Sequence, residues 1–308
     1  MRPAEIDVQL ATVKTAAVAY PATAIATLVV SGADRQTWLN GLVTCDLAPL
    51  KAGDAVYGLA VKQKGRILTD AIVFLDREQA LVVVPASTVD EVRSTFEHYL
   101  IMEDAEIAPE SDAFEVTLVH GPRASEVLDA ACAAGARGAR IDRTGLGGAV
   151  VFAPKGADAV RAALAAALER VGGVIGDEAG WEALRIARAI PRFGADFDGE
   201  TYPQEAGLEK TAVSFSKGCY LGQEVVCMLE MRGQVKRRLV PIAVDADVAP
   251  ARGAEIADAS GQKVGEVTSA ALLAAKPIAL GMVKRKLAEA GTELTVGGVR
   301  ARVIAPET

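Results

Sequence analysis

Between residues 26 and 171 one order of elements runs twice: a strand, a helix, two or three strands, a helix. The first pass opens with the apolar run Ala26 to Val30, closed by Gly32, and Ser31 or Asp34 is placed to cap a helix through Leu42. Strands are predicted over Ala55 to Val61, Leu68 to Leu75 and Ala80 to Pro85. A helix from Thr88 to about Leu100 and a short strand over Asp104 to Ala108 follow. The second pass has a strand over Phe114 to His120 and a helix from Pro122 to about Ala134, with proline suited to the first turn. Strands over Ala139 to Asp142 and Ala149 to Phe152 and a helix over Ala157 to Val171 complete it. This order fits a ferredoxin-like α+β unit, used twice. The two passes share their pattern more than their identities.

Beyond the repeat, Glu178 to Ile190 reads as another amphipathic helix, and a long loop runs through Gly194, Gly199 and Pro203. Long loops inside compact domains are often functional. After Gly233 the pattern changes to short β-branched runs separated by glycine turns: Arg238 to Val244, Lys263 to Ser269, Ile278 to Val283 and Leu294 to Val303. That spacing predicts a small all-β domain, closed as a barrel.

A chain of 308 residues is long enough for two or three domains with a sizeable core. The net charge of −7 argues against a general nucleic-acid coat but leaves room for a local basic surface. No stretch reaches about 18 uninterrupted apolar residues and the N-terminus lacks a signal-peptide pattern, so no membrane partner and a cytoplasmic location are expected. Cys45, Cys132, Cys219 and Cys227 include no Cys-x-x-Cys pair, and only His98 and His120 add imidazole. A closed zinc site, a four-cysteine iron–sulfur site or a disulfide framework is therefore not expected. Cys132, among alanines in a helical pattern, is expected in the core, and Cys45 is expected to be structural.

Lys217-Gly218-Cys219-Tyr220-Leu221-Gly222-Gln223-Glu224 is the densest motif. Its glycines permit tight turns and close approach of a neighbour. One reading makes Cys219 a reachable thiol whose thiolate Lys217 favours. The other makes it a small, half-buried residue of a glycine-rich turn.

The motif Lys-Gly-Cys-Tyr-x-Gly-Gln-Glu resembles the signature of the YgfZ family of folate-binding proteins, relatives of the glycine-cleavage T-protein (aminomethyltransferase). Further segments agree in order: Ser31-Gly32-Ala33-Asp34, Gly65-Arg66-Ile67-Leu68-Thr69-Asp70, Pro203-Gln204-Glu205-Ala206-Gly207-Leu208 and Val264-Gly265-Glu266-Val267-Thr268-Ser269. The resemblance implies an α+β cloverleaf around a central tunnel for tetrahydrofolate or a derivative. Its folate-binding core would span residues 1–235, in two ferredoxin-like lobes of about 20–110 and 111–235, and a β-barrel would span 236–308. By position, Asp70 matches the acidic residue that faces the reactive part of folate. Trp181 matches a tryptophan near the folate, where an indole can stack on a flat ring. Glu205 matches a glutamate able to accept paired hydrogen bonds from an aminopterin edge; in the plainer reading it pairs with Lys210. Lys217 is a candidate folate contact beside the thiol.

One departure is notable. The T-protein has Leu-Arg-x-Glu, its glutamate reading the pterin, where this chain has Leu184-Arg185-Ile186-Ala187. The only dense basic run, Arg232 to Arg238, offers Arg232 and Arg238 to the glutamyl tail of folate or to RNA phosphate, or is a solvated strand edge. The resemblance implies a folate-dependent accessory factor that supports iron–sulfur enzymes, including those that modify tRNA. Its partners would be iron–sulfur proteins or their assembly factors, and Cys219 would be a nucleophile, redox thiol or transient cluster ligand. The alternatives are a tetrahydrofolate-dependent aminomethyl- or methyltransferase using Asp70, and a folate sensor without chemistry.

Overall fold

The computed structural model describes residues 5–108, 113–233, 235–273 and 276–306. The chain opens with α1 (Ile6–Thr15) and β1 (Val18–Ala22), neither of which the sequence pattern announces. The first repeat then gives β2 (Ile25–Ser31), α2 (Arg35–Asn40), β3 (Ala55–Val61), β4 (Ile67–Leu75), β5 (Gln79–Pro85), α3 (Val89–His98) and β6 (Glu106–Ile107). The second gives β7 (Phe114–His120), α4 (Ala124–Ala133), β8 (Arg137–Arg140), β9 (Gly148–Pro154), α5 (Asp158–Val171) and β10 (Val174–Ile175).

The sheets run β3-β4-β5-β2-β6 and β10-β1-β7-β9-β8. Without β3 in the first and β1 in the second, both reduce to fourth-first-third-second, the order of a ferredoxin-like unit. The repeat is thus real at the level of topology. The first sheet adds a hairpin strand at its edge, whereas the second admits β1, parallel to β10 and antiparallel to β7. Pro21 is tolerated there because β1 runs past the end of β10 and has a neighbour on one side only.

Helices α2 and α3 cover one face of the first sheet, burying Leu39, Val73, Val82 and Phe96. Helices α4 and α5 do the same for the second, over Val127, Ala149, Val151 and Leu168. The two remaining faces share one core in which Leu59, Phe74 and Leu81 meet Val116, Val150 and Phe152. The rings of Phe74 and Phe152 lie 5.1 Å apart at its centre. Central strands are therefore buried on both sides, and this is why Ala80 to Val84 is continuously apolar instead of alternating.

Helix α6 (Glu178–Ala187) is capped by Asp177, whose carboxylate accepts from the Gly180 amide at 2.8 Å. It ends three residues before the predicted Ile190. Two short helices, α7 (Pro203–Ala206) and α8 (Gln223–Arg232), flank the cysteine motif. The remainder is the expected closed barrel, formed by β11 (Arg237–Val244), β12 (Glu255–Ala257), β13 (Lys263–Leu273), β14 (Lys276–Lys284), β15 (Glu293–Val296) and β16 (Val299–Val303). The run Leu294 to Val303, read as one strand, is a hairpin turning at Gly297 and Gly298.

Arg185 ties α6 to the barrel. Its fully buried guanidinium donates to Asp196 at 2.7 Å, to Ser269 of β13 at 2.8 Å, to both Glu182 oxygens at 2.7 and 2.5 Å and to the Ile190 carbonyl at 3.3 Å. All five N–H groups are used, which is what makes a buried guanidinium tolerable. No helix among the described residues is long and apolar enough to cross a membrane.

Candidate functional site

A cavity of about 480 Å³ opens between the two sheets and α6. The β1–β2 connection, β4, β5, α6 and the loop after it wall it, with Asp70, Trp181, Tyr57 and Arg143 among the lining side chains. Its size suits a drug-sized ligand. Asp70 and Trp181, singled out from distant parts of the sequence, thus line the same space.

Asp70 projects from β4 opposite Leu59 of β3. Its Oδ2 accepts a hydrogen bond from the Tyr57 hydroxyl at 3.0 Å, while its Oδ1 is buried with no partner among the described residues. Burial pushes the Asp70 carboxyl above the ordinary aspartate range, against the opposing pull of the Arg143 guanidinium and the Tyr57 hydroxyl. The Arg143 guanidinium carbon sits over the Tyr57 ring, 3.9 Å from its centre. Sequence reasoning missed both Tyr57 and Arg143. The signal for Arg143 was the turn around it: Asp142 accepts from the amides of Thr144, Gly145 and Gly147 at 2.9, 2.8 and 2.9 Å, a local pattern of short polar residue and glycines.

Trp181 faces the cavity from α6, and His120, the last residue of β7, stacks behind it at 5.0 Å and 9°. Tyr20 of β1 closes the cluster, 5.9 Å from Trp181 and 6.1 Å from His120. Burial first, and the Arg143 charge second, lower the His120 pKa to about 3, so its ring is neutral. Both its nitrogens are buried without a hydrogen-bond partner among the described residues.

The cysteine motif lies apart from this cavity, and none of its residues lines it. The structure gives Lys217 a task other than the expected one. Its ammonium donates to the carbonyls of Asn40, Val43 and Cys45 at 2.6, 2.8 and 2.7 Å, so all three of its donors are consumed where α2 ends. Burial lowers its pKa to about 8. Tyr220 is buried, and the Leu221 amide donates to the Gly41 carbonyl at 3.0 Å. Gly222 has φ 76° and opens α8; a Cβ there would lie 2.4 Å from the Lys62 carbonyl, so only glycine fits. Between these anchors Cys219 is exposed, next to Gly218 in open space. The close approach that the glycines permit is therefore internal at Gly222, and the thiol faces outward.

The other expected contacts are engaged in packing. Glu205 caps α7, accepting from the Tyr202 amide at 3.1 Å, and pairs with Arg237 at 3.1 Å, not with Lys210. Arg238 donates to the Gln204 carbonyl at 3.1 Å and to Glu209 at 2.7 Å. Two cations of the basic run thus hold the α7 region on the barrel, while Arg232 is exposed in the last turn of α8. Ala187 does not line the cavity. Cys132 was expected in the core and is exposed: the buried stripe of α4 is Ala124, Val127, Leu128 and Ala131, and Cys132 falls outside it. Cys45 is buried as expected, and burial pushes its thiol up to about 12. No cluster of metal-ligating side chains occurs among the described residues.

Two sequence families match separate parts of the chain. The GCVT N-terminal domain matches residues 4–144, and the CAF17 C-terminal beta-barrel domain matches 236–308. The tRNA-modifying protein YgfZ of Vibrio vulnificus is 29% identical over 220 residues, covering 69% of this chain and 65% of that protein. This chain is thus similar both to the T-protein and to YgfZ. The aminomethyltransferase of Halothermothrix orenii is 28% identical over 306 residues, covering 91% of this chain and 83% of its own length. The crystal structure of glycine cleavage system aminomethyltransferase T from Bartonella henselae superposes with a TM-score of 0.82 at 20% identity, over 97% of this chain and 88% of that one. The T-protein fold is therefore the fold of this chain.

Proposed function

We propose that the protein is a cytoplasmic, folate-binding accessory factor of the YgfZ type, supporting iron–sulfur enzymes and, through them, tRNA modification. In this reading residues 1–235 are the folate-binding core and 236–308 the accompanying barrel. One observation carries it: Trp181 and Asp70 line one cavity that offers a flat aromatic face and an unpartnered acceptor. A reduced folate has the matching parts, a flat conjugated ring and N–H donors. The indole would stack on the ring, Asp70 would take a ring N–H, and bound folate would supply a one-carbon carrier.

Cys219 is the second element. Its exposure on a loop anchored by Lys217, Tyr220 and Gly222 supports a thiol offered to another macromolecule and separate from the folate. The partners would be iron–sulfur proteins or their assembly factors, with tRNA reached indirectly. A second reading, a tetrahydrofolate-dependent aminomethyltransferase, is favoured by the extent of the match to the Halothermothrix protein. The deciding experiment measures an iron–sulfur tRNA-modifying enzyme purified from cells that lack this protein and are complemented with the parent or with Cys219→Ser. Restored activity with the parent and not with Cys219→Ser is expected. Equal activity in these two preparations and in one from uncomplemented cells would end the accessory-factor reading.

A further inference from the structure

Two polar groups in the cavity wall face each other across Tyr57 with unmet hydrogen-bonding capacity. On one side is Asp70 Oδ1, a buried acceptor without a partner among the described residues. On the other is the Arg143 guanidinium, held over the Tyr57 ring at 3.9 Å and making no hydrogen bond or ion pair to any described residue. The Tyr57 hydroxyl joins the two by donating to Asp70 Oδ2 at 3.0 Å. Arg143 contrasts with Arg185 in the same wall, whose five N–H groups are all satisfied.

The backbone around Arg143 is fixed in advance. Asp142 clamps the amides of Thr144, Gly145 and Gly147. The Arg188 Nε holds the Thr144 carbonyl at 2.7 Å from the end of α6. A cation in a preset loop, stacked on an aromatic ring and lining a cavity, spends little entropy on engaging a ligand. A guanidinium only donates and a carboxylate only accepts, so the pair asks for one pattern: an acceptor on the ligand beside an N–H.

We infer that Arg143 determines ligand specificity by donating to the ring carbonyl of a reduced pterin while Asp70 accepts from the ring N–H beside that carbonyl. The inference rests on the folate reading above and names the recognition inside it. Trp181 would hold the plane of the ring, and Arg143 and Asp70 would read its edge. Replacing the ring carbonyl by an amino group sets a donor against the donors of Arg143 and also turns the adjacent ring N–H into a bare nitrogen facing Asp70. A mismatch of this kind leaves buried polar groups unpaired and gives large discrimination.

The test is a calorimetric titration of the full chain with a reduced folate and with its analogue in which an amino group replaces the ring carbonyl. The parent should bind the carbonyl form at least tenfold tighter. Arg143→Met should narrow that ratio several-fold, the remainder being the discrimination by Asp70. Arg143→Gln, whose amide can rotate to donate or accept, should do the same and serves if the methionine variant does not fold. Thermal melts establish folding independently of ligand. A parent that binds reduced folate but shows no preference, or variants that keep the parent's ratio, overturn the role of Arg143 and leave the folate reading intact. A folded parent that binds neither compound overturns the folate reading and this inference with it.

Discussion

His120 lies flat against Trp181, with ring centroids 5.0 Å apart and planes 9° from parallel. The imidazole is a backing plate: it fixes the indole plane on one side and leaves the other for the cavity. It also carries a cost in acid. Folded, its pKa is lowered to about 3 from an ordinary 6.5, chiefly by burial. Between those values the unfolded chain takes up a proton that the folded chain refuses. Stability therefore falls as pH drops through this window, by up to about 1.4 kcal/mol per pH unit from this group. His120→Phe keeps a flat ring and removes the titration. Denaturant melts between about pH 4 and 7 should show a shallower acid decline for this variant than for the parent; parallel declines would refute the buried neutral imidazole.

Trp181→Ala should weaken reduced-folate binding by roughly tenfold, since a stacked aromatic contact contributes about 0.5–1.5 kcal/mol beyond the area it buries. Calorimetric titration compares the two proteins, because fluorescence quenching reports binding in the parent only and the variant keeps only Trp38. Trp38 contributes a steady background, because it packs in the first sheet's helix-side core and donates to the Tyr99 carbonyl at 3.1 Å. If the alanine variant binds as tightly as the parent, Trp181 is not in the site.

Lys217→Met should destabilise the chain by about 3 kcal/mol or more. Three carbonyls lose a charged donor, and each buried acceptor left unpaired costs roughly 1–3 kcal/mol. Lys217→Arg should not rescue it, because a planar fork cannot reach three converging carbonyls. Chemical denaturation decides between this anchor and a ligand contact, which would lower folate affinity and leave the melting midpoint in place.

Periodicity is a local signal, whereas strand pairing and side-chain neighbours are set by distant parts of the chain. The double repeat and the barrel were legible because strands and helices with long apolar faces carry their periodicity locally. Strand β1 was not, since Val18–Ala22 is short, contains Pro21 and finds its place only against β7 and β10, far along the chain. The start of α8 was hidden by the glycines of the motif, which read as a loop. Asp70 and Trp181 could be singled out by motif resemblance, whereas Arg143 and His120 matter only through neighbours that the fold supplies. Lys217 shows the reverse: its place in the motif suggested chemistry at the thiol, and its partners are carbonyls around the end of α2.

Competitive alkylation at neutral pH, read by mass spectrometry, should label Cys219 first, Cys132 more slowly and Cys45 last. Cys219 and Cys132 are both exposed, but burial and the nearby Asp129 raise the Cys132 pKa and lower its thiolate fraction. Cys45 is buried, with its pKa near 12. Labelling of Cys132 ahead of Cys219 would remove the case for a thiol set out for reaction.

The final prediction separates the two functional readings. The cavity holds three carboxylates, Asp70, Asp177 and Glu178. Asp177 is engaged by the Gly180 amide at 2.8 Å and the Gln9 amide group at 3.2 Å, and Glu178 pairs with Arg192 at 3.1 Å. Position 187 supplies none, so of the three Asp70 alone has a buried oxygen without a partner among the described residues. A transferase must hold carrier arm and folate in register, and orientation of this kind can contribute roughly 7–11 kcal/mol toward the barrier. With one such buried acceptor and no carboxylate at position 187, the protein should show no significant transfer of a one-carbon unit from aminomethylated lipoyl carrier protein to tetrahydrofolate. Cys219→Ser should keep the parent's melting temperature, because the side chain is exposed and similar in volume. It should still abolish support of iron–sulfur enzymes, because a hydroxyl is a poor soft-metal ligand and redox partner. Robust turnover in the carrier assay, together with full complementation by Cys219→Ser, would make the chain a transferase and its cysteine incidental.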